Sequence, residues 1–135
     1  MAAIPDIRVA GSVQDWAHQV AAFIASVSER AILANGRFIM ALSGGSTPKT
    51  LYQTLALPEW KTRFEWQKIH FLFGDERCVP PDHQDSNFNM AQASLFHPLA
   101  IPPNHIFRMR GEGEDPSPVA REYEQTIRQL TETQP

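Results

Sequence analysis

The sequence predicts one α/β domain with a mostly parallel sheet. Short apolar runs without helical spacing alternate with longer segments in which apolar residues recur every three or four positions. The runs 37–42 and 68–73 each lead into a polar turn that contains glycine. The length of 135 residues suits a single domain and is enough to bury a sizeable core.

The first third of the chain is predicted to form a short strand, a long helix and a buried strand. The short strand covers residues 7–10. Ser12 is predicted to cap the helix, with Asp15 three residues later as a partner. The apolar stripe of this helix consists of Val13, Trp16, Ala17, Val20, Phe23, Ile24, Val27 and Ala31. Gly36 is expected to end the helix in a left-handed conformation, and residues 37–42 form the strand.

The rest of the chain repeats this alternation with shorter elements. Thr47 is predicted to cap a second helix, with Pro48 in the first turn, where its missing N–H costs nothing. A strand at 68–73 precedes a loop at 78–85, where adjacent prolines exclude regular structure. The remaining predictions are a helical turn at 58–64, a helix from Ser86 or Asn87 to about Leu95, a loop at 98–104, a strand at 105–109, a polar turn at 111–118 and a helix at 119–131.

Composition and charge argue against several classes of protein. Twelve basic and 15 acidic residues give a net charge of −3, which is unsuited to a broad nucleic-acid surface. A few local donors can still bind one phosphate. Cys78 is the only cysteine, so we expect no internal disulfide and a reducing, cytoplasmic location. No signal peptide or membrane-spanning apolar stretch is visible, so no membrane contact is expected.

A first candidate site follows the strand at 37–42, where open α/β sheets bind their ligands. Gly44 and Gly45 allow positive φ angles and a close approach of the backbone to a ligand. The N–H groups at the start of the next helix favour an anion, and Ser46 and Thr47 add hydroxyl donors. The alternative is a plain turn with a threonine cap. The segment matches neither a P-loop nor a dinucleotide fingerprint.

A second candidate site is the run of charged residues Asp75, Glu76 and Arg77, which follows the strand at 68–73. Arginine can grip a phosphate or a carboxylate through paired N–H donors. The alternative is a charged strand end with a local ion pair. Because both candidate sites follow successive strands, they are expected to face one crevice. Residues 82–85 match no established ligand spacing, so no metal site is predicted.

Three motifs together resemble the 6-phosphogluconolactonase family. They are Ser43–Pro48 (SGGSTP), Gly74–Pro80 (GDERCVP) and the pair Ser86-Asn87, in the family's order and spacing. The resemblance covers nearly the whole chain. It implies a three-layer αβα, Rossmann-like fold, shared with glucosamine-6-phosphate deaminases and ribose-5-phosphate isomerases. It also implies hydrolysis of 6-phosphoglucono-δ-lactone to 6-phosphogluconate in the oxidative pentose phosphate pathway, with no metal or organic cofactor.

The resemblance also implies a role for each motif. The loop of Ser43, Gly44, Gly45, Ser46 and Thr47 would hold the phosphate of the sugar substrate through backbone donors. Arg77 would contact an anion or the lactone oxygen, and Asp75 would organise the pocket. Glu76, Ser86 and Asn87 would shape the loops.

One part of the family pattern is missing. Family members are longer, and a G-x-G-x-D-G-H-x-x-S segment in their later half carries the histidine that is taken as the general base. The sequence lacks this segment, so no catalytic residue is recognisable in it. We therefore expect residues 1–135 to be the N-terminal portion of a longer, truncated family domain. An incomplete sheet of this kind predicts self-association or association with the missing C-terminal half.

Two other functions remain open. The first is a sugar-phosphate isomerase or deaminase of the same fold, although deaminases typically carry a tyrosine where this chain has Arg77. The second is a non-catalytic half-domain that binds a sugar phosphate or a partner chain.

Overall fold

A small parallel sheet lies at the centre of the computed structural model, which describes residues 3–132. Strand β1 (Phe38–Leu42) pairs with β2 (Ile69–Phe73), in register along the whole length of both. A third segment reaches the far side of β2 through a parallel bridge between Phe71 and Ile106. Next to this bridge, the N–H of Phe107 donates to the carbonyl of Phe71 at 2.9 Å. The prediction of a mostly parallel sheet is therefore confirmed.

Two of the predicted strands are absent or much reduced. Residues 7–10 have no regular structure, and Ile7 and Val9 are 78% and 88% exposed. Their β-propensity does not produce a strand without a neighbour to pack and pair with. The strand predicted at 105–109 is reduced to the bridge at Ile106, because a 3₁₀ turn at Pro103–His105 occupies its start.

Most of the helices pack on one face of the sheet. They are α1 (Val13–Asn35), α2 (Ser46–Leu55), α3 (Pro58–Lys61) and α4 (Asn87–Ala91), and α4 continues through a π-helical turn (Gln92–Phe96) into α5 (His97–Leu99). The predicted helix at 86–95 thus runs four residues further, and Pro98 belongs to it rather than to a loop. The main hydrophobic core forms between these helices and the side chains of Leu42, Ile69, Phe71 and Phe73.

The predicted ends of α1 are confirmed, and its predicted apolar face is confirmed in part. The Ser12 hydroxyl accepts a hydrogen bond from the N–H of Asp15 at 3.0 Å, and Gly36 ends the helix with φ 75°. Val13 and Phe23 are 53% and 56% exposed. Ala17 of the predicted stripe is fully buried, and Trp16, Val20 and Ile24 pack half-buried against the core. The other fully buried positions, outside the predicted stripe, are Ala21, Ala25, Ser28 and Ile32. Small residues occupy the fully buried positions because they let α1 approach α2 closely.

Helix α6 (Pro116–Thr131) is joined to the sheet by Tyr123, which is buried outside the main hydrophobic core. The Tyr123 hydroxyl accepts from the N–H of Phe73 and donates to the carbonyl of Phe107, both at 2.7 Å. Near the end of α6, Arg37 donates to the carbonyl of Leu130. The chain has the predicted αβα class, built on a small sheet.

Candidate functional site

The loop after β1 begins with Ser43, which Tyr52 of α2 holds in place. The Tyr52 hydroxyl accepts from the Ser43 N–H at 3.0 Å and donates to the Ser43 carbonyl at 2.9 Å. Gly45 then adopts φ 100°, a conformation that side chains rarely allow, so a glycine is required at this position. The loop can thus turn sharply out of the sheet and into α2.

Helix α2 begins earlier than the sequence suggests, so the prediction that Thr47 caps it is wrong. The N-cap is Gly45, and Ser46 and Thr47 lie in the first helical turn with exposed side chains. Within the described residues no side chain caps this helix. Its first N–H groups therefore lack a side-chain acceptor, which leaves them available to an anion, and the helix dipole favours one.

The loop after β2 is organised by the carboxylate of Glu76. This carboxylate accepts hydrogen bonds from the N–H groups of Arg77 (2.7 Å), Asn87 (2.7 Å) and Phe88 (2.9 Å), and from the Ser86 hydroxyl (3.1 Å). An acidic side chain at the start of α4 is also stabilised by the helix dipole. The hydrogen bonds of Glu76 and Ser86 thus connect this loop to α4.

Asp75 and Arg77, on either side of Glu76, point outward. Their side chains are 61% and 62% exposed, and the Arg77 Nε lies 3.8 Å from Asp75 Oδ2. This distance is too long for a hydrogen bond, and an exposed ion pair of this kind contributes little to stability. Both groups therefore remain accessible to a ligand.

Asn87 joins the two candidate sites. Its Nδ2 donates to the carbonyl of Asp75 at 3.2 Å and to Asp75 Oδ1 at 3.3 Å. On its other side, a Cβ atom added to Gly44 would lie only 2.0 Å from Asn87 Oδ1. The two loops after β1 and β2 thus meet through one buried side chain. The sequence singles out both Gly44 and Asn87, but no local pattern shows that they are in contact.

A third loop packs against the second candidate site, and sequence reasoning did not include it. A Cβ atom at Gly111 would lie 2.1 Å from the carbonyl of Arg77, so only glycine fits there without displacing the backbone. Arg108 donates to both carboxylate oxygens of Glu112, at 3.0 and 2.6 Å, and its guanidinium lies 5.8 Å from the Phe88 ring centre. This ion pair lowers the pKa of Glu112 to about 2.

Two of the described histidines lie at the end of the sheet away from the candidate sites. His70 stacks on His105 near the start of β2, with ring centres 4.4 Å apart, at the end of the strand opposite Asp75. No histidine of residues 3–132 forms a hydrogen bond with a side chain of residues 43–47 or 75–77. The same part of the chain holds no cluster of three metal-ligating side chains, and this includes the segment 82–85.

An uncapped helix start follows β1 and an exposed arginine follows β2, so both lie at the carboxyl ends of neighbouring parallel strands. These features define a class of α/β domain whose ligand edge suits an anion. A family model described as glucosamine-6-phosphate isomerases/6-phosphogluconolactonase matches residues 11–135. The chain belongs to this family. No helix among residues 3–132 has the length and apolar character needed to cross a membrane.

Relatives of known name support this assignment. A 6-phosphogluconolactonase from Treponema pallidum is 40% identical over 111 residues, which are 82% of this chain and 45% of that protein. The solved 6-phosphogluconolactonase of Trypanosoma cruzi superposes with a TM-score of 0.83 at 31% identity, over 100% of this chain and 54% of that one. A monomeric glucosamine-6-phosphate deaminase shares the fold, with a TM-score of 0.77 at 20% identity. The chain spans about half the length of the relatives it matches.

Proposed function

We propose that the chain is the substrate-binding N-terminal portion of a 6-phosphogluconolactonase. This enzyme would hydrolyse 6-phosphoglucono-δ-lactone to 6-phosphogluconate in the oxidative pentose phosphate pathway, in the cytoplasm. The observation that carries the proposal is the contact of Gly44 with Asn87 and of Asn87 with Asp75. Through it, an anion-compatible helix start and an exposed arginine lie at one edge of the sheet, in a chain of this family.

Each part of the crevice has a proposed role that its geometry supports. The uncapped N–H groups at the start of α2, with the hydroxyls of Ser43, Ser46 and Thr47, would bind the phosphate. Arg77 would bind the carboxylate of the product or the lactone oxygen of the substrate. Asp75, exposed beside Arg77, would hold a sugar hydroxyl.

In this proposal the chain binds the substrate, and the general base lies outside residues 3–132. Ester hydrolysis needs a base to activate water and donors for the developing oxyanion. The described histidines form no hydrogen bond with the side chains of residues 43–47 or 75–77. We assign the base to the later half of the family domain, and we assign binding and orientation of the sugar phosphate to this chain.

The proposal is tested by calorimetric titration of the chain with 6-phosphogluconate and with gluconate, which lacks the phosphate. We expect binding of the phosphorylated ligand only, and at least about tenfold weaker binding by Arg77→Gln, because a charge-assisted hydrogen bond is worth roughly 1.5–3 kcal/mol. Arg121→Gln, an exposed arginine of α6, is the matched control and should bind like the parent.

Two results would contradict the proposal. Equal affinity for gluconate and 6-phosphogluconate would show that the helix start does not bind the phosphate. A clear preference for glucosamine 6-phosphate over 6-phosphogluconate would instead favour the isomerases and deaminases of the same family.

A further inference from the structure

We propose that Asn87 is a positioning residue that sets the distance between the phosphate-binding loop at Ser43–Thr47 and the pair Asp75 and Arg77. The proposal rests on the proposed function, because it concerns how the same crevice matches the length of a sugar phosphate. Asn87 would not touch the ligand. It would act by holding the two walls of the crevice at a fixed separation.

The first step of the argument is that Asn87 fills the space beside Gly44. Its Oδ1 lies 2.0 Å, its Cγ 2.6 Å and its Nδ2 3.0 Å from the position that a Cβ of residue 44 would take. Separations below 3.0 Å do not occur between real atoms of this kind. The missing side chain of Gly44 thus lets the loop lie directly against the amide of Asn87.

The second step is that Asn87 cannot easily move away. It is 6% exposed, its N–H donates to Glu76 Oε1 at 2.7 Å, and its Nδ2 donates to the backbone and side chain of Asp75. The hydroxyl of Ser86 caps the helix that carries it by accepting from the N–H of Asn89 at 3.1 Å. Asn87 is therefore held by the second wall while it packs against the first.

The third step concerns the ligand. Inorganic phosphate would occupy the Ser43–Thr47 loop alone, whereas 6-phosphogluconate has an anionic group at each end and would reach both walls. A change in the separation of the walls should therefore lower the affinity for 6-phosphogluconate and leave the affinity for inorganic phosphate unchanged. A misplacement of about 1 Å can cost an enzyme about a hundredfold in rate, and we expect the affinity for a ligand held at both ends to be sensitive to the same error.

The experiment compares the affinities of Asn87→Ala and the parent chain for 6-phosphogluconate and for inorganic phosphate. We expect at least about tenfold weaker binding of 6-phosphogluconate and an unchanged affinity for phosphate. If Asn87 had a purely structural role, Asn87→Ala would weaken the binding of both ligands together. Asn89→Ala, an asparagine two positions along the same helix whose side chain bonds to the His83 carbonyl, is the matched control and should bind both ligands like the parent.

A second set of variants tests the contact itself without any ligand. Gly44→Ala should lower the urea midpoint of unfolding, because its methyl group collides with Asn87. The double variant Gly44→Ala with Asn87→Ala should recover part of this loss, since the collision is then removed. Additive effects of the two changes would show that the residues are not coupled, and would overturn the proposal.

The outcomes separate this proposal from the proposed function. If Asn87→Ala weakens both ligands equally, or neither, the positioning role is wrong and the sugar-phosphate function stands. If the parent chain binds no phosphorylated ligand, the proposed function fails, and the positioning role fails with it.

Discussion

Three adjacent charged residues have different roles: Glu76 forms hydrogen bonds within the protein, whereas Asp75 and Arg77 lie at the surface. Glu76 accepts hydrogen bonds from three backbone N–H groups and one hydroxyl, so it is committed to the fold. Asp75 and Arg77 are more than half exposed. The chain order Asp-Glu-Arg predicts a charged cluster. It does not predict which of the three turns inward, since this depends on the start of α4, about ten residues further along.

His70 is the residue whose protonation should affect stability. Burial lowers its pKa, and His105 and Arg37 lower it further. The unfolded chain therefore binds a proton at His70 more readily than the folded chain does. Stability should be at its full value above about pH 6.5 and should fall as the pH drops from there towards the lower folded pKa.

This pH dependence can be measured by urea unfolding between pH 7.5 and 5.5. His70→Gln should show a smaller loss of stability over this range than the parent does. His97→Gln, which changes an exposed histidine, should keep the parent's pH profile. An identical profile for the His70 variant would show that another group causes the loss.

At the scale of elements, the packing of α1 depends on small residues. Ala17, Ala21 and Ala25 are all 0% exposed, and they lie on one line along the helix. Apolar periodicity alone indicates a stripe centred on larger residues, which would include Phe23. The fully buried positions are small residues, while the larger Trp16, Val20 and Ile24 pack half-buried against the core beside them.

Ala21→Leu should therefore destabilise the chain by about 1–3 kcal/mol, the usual cost of adding methylenes to a packed core. Ala22→Leu is the matched control, because Ala22 is exposed on the same helix and should tolerate the same change with little effect. The midpoint of urea unfolding measures the stability of both variants. Equal midpoints for the two variants would mean that α1 is not closely packed at this point.

At the scale of the whole molecule, the sheet offers an edge for association. Within residues 3–132, β1 pairs with β2 and with no other strand, and Ala41, the fourth of its five residues, is exposed. An unpaired strand edge is a template for another chain. The solved relatives that share this fold extend to about twice the matched length. A partner that supplies the rest of the family domain would suit this edge, and a second copy of the chain is the alternative.

We expect the chain to form a complex with the part of the Treponema pallidum 6-phosphogluconolactonase that this chain does not match, supplied as a separate polypeptide. Lactone hydrolysis should appear when both are mixed and should be absent from either alone, because binding groups and general base would then come together. Sedimentation measures the complex, and acid release measures the activity. A monomeric chain with no activity in the mixture would contradict this expectation. A homodimer would favour self-association instead.

The sequence by itself determined the order of the main elements, the fold class and the motifs that resemble the family. The capping of α1 by Ser12 and its end at Gly36 were predictable because each of these residues acts on backbone groups only a few positions away. The placement of polar clusters after β1 and β2 was predictable for the same reason, since each cluster directly follows its strand.

Only the tertiary structure decided which residues of those clusters meet. The contact between Gly44 and Asn87, the inward turn of Glu76 and the close fit of Gly111 against Arg77 join positions that are far apart along the chain. The buried face of α1 and the loss of the strand at 7–10 likewise depend on which neighbours are present. Local periodicity and capping carry no information about such distant partners, because packing and hydrogen bonding between elements arise only when the elements are assembled.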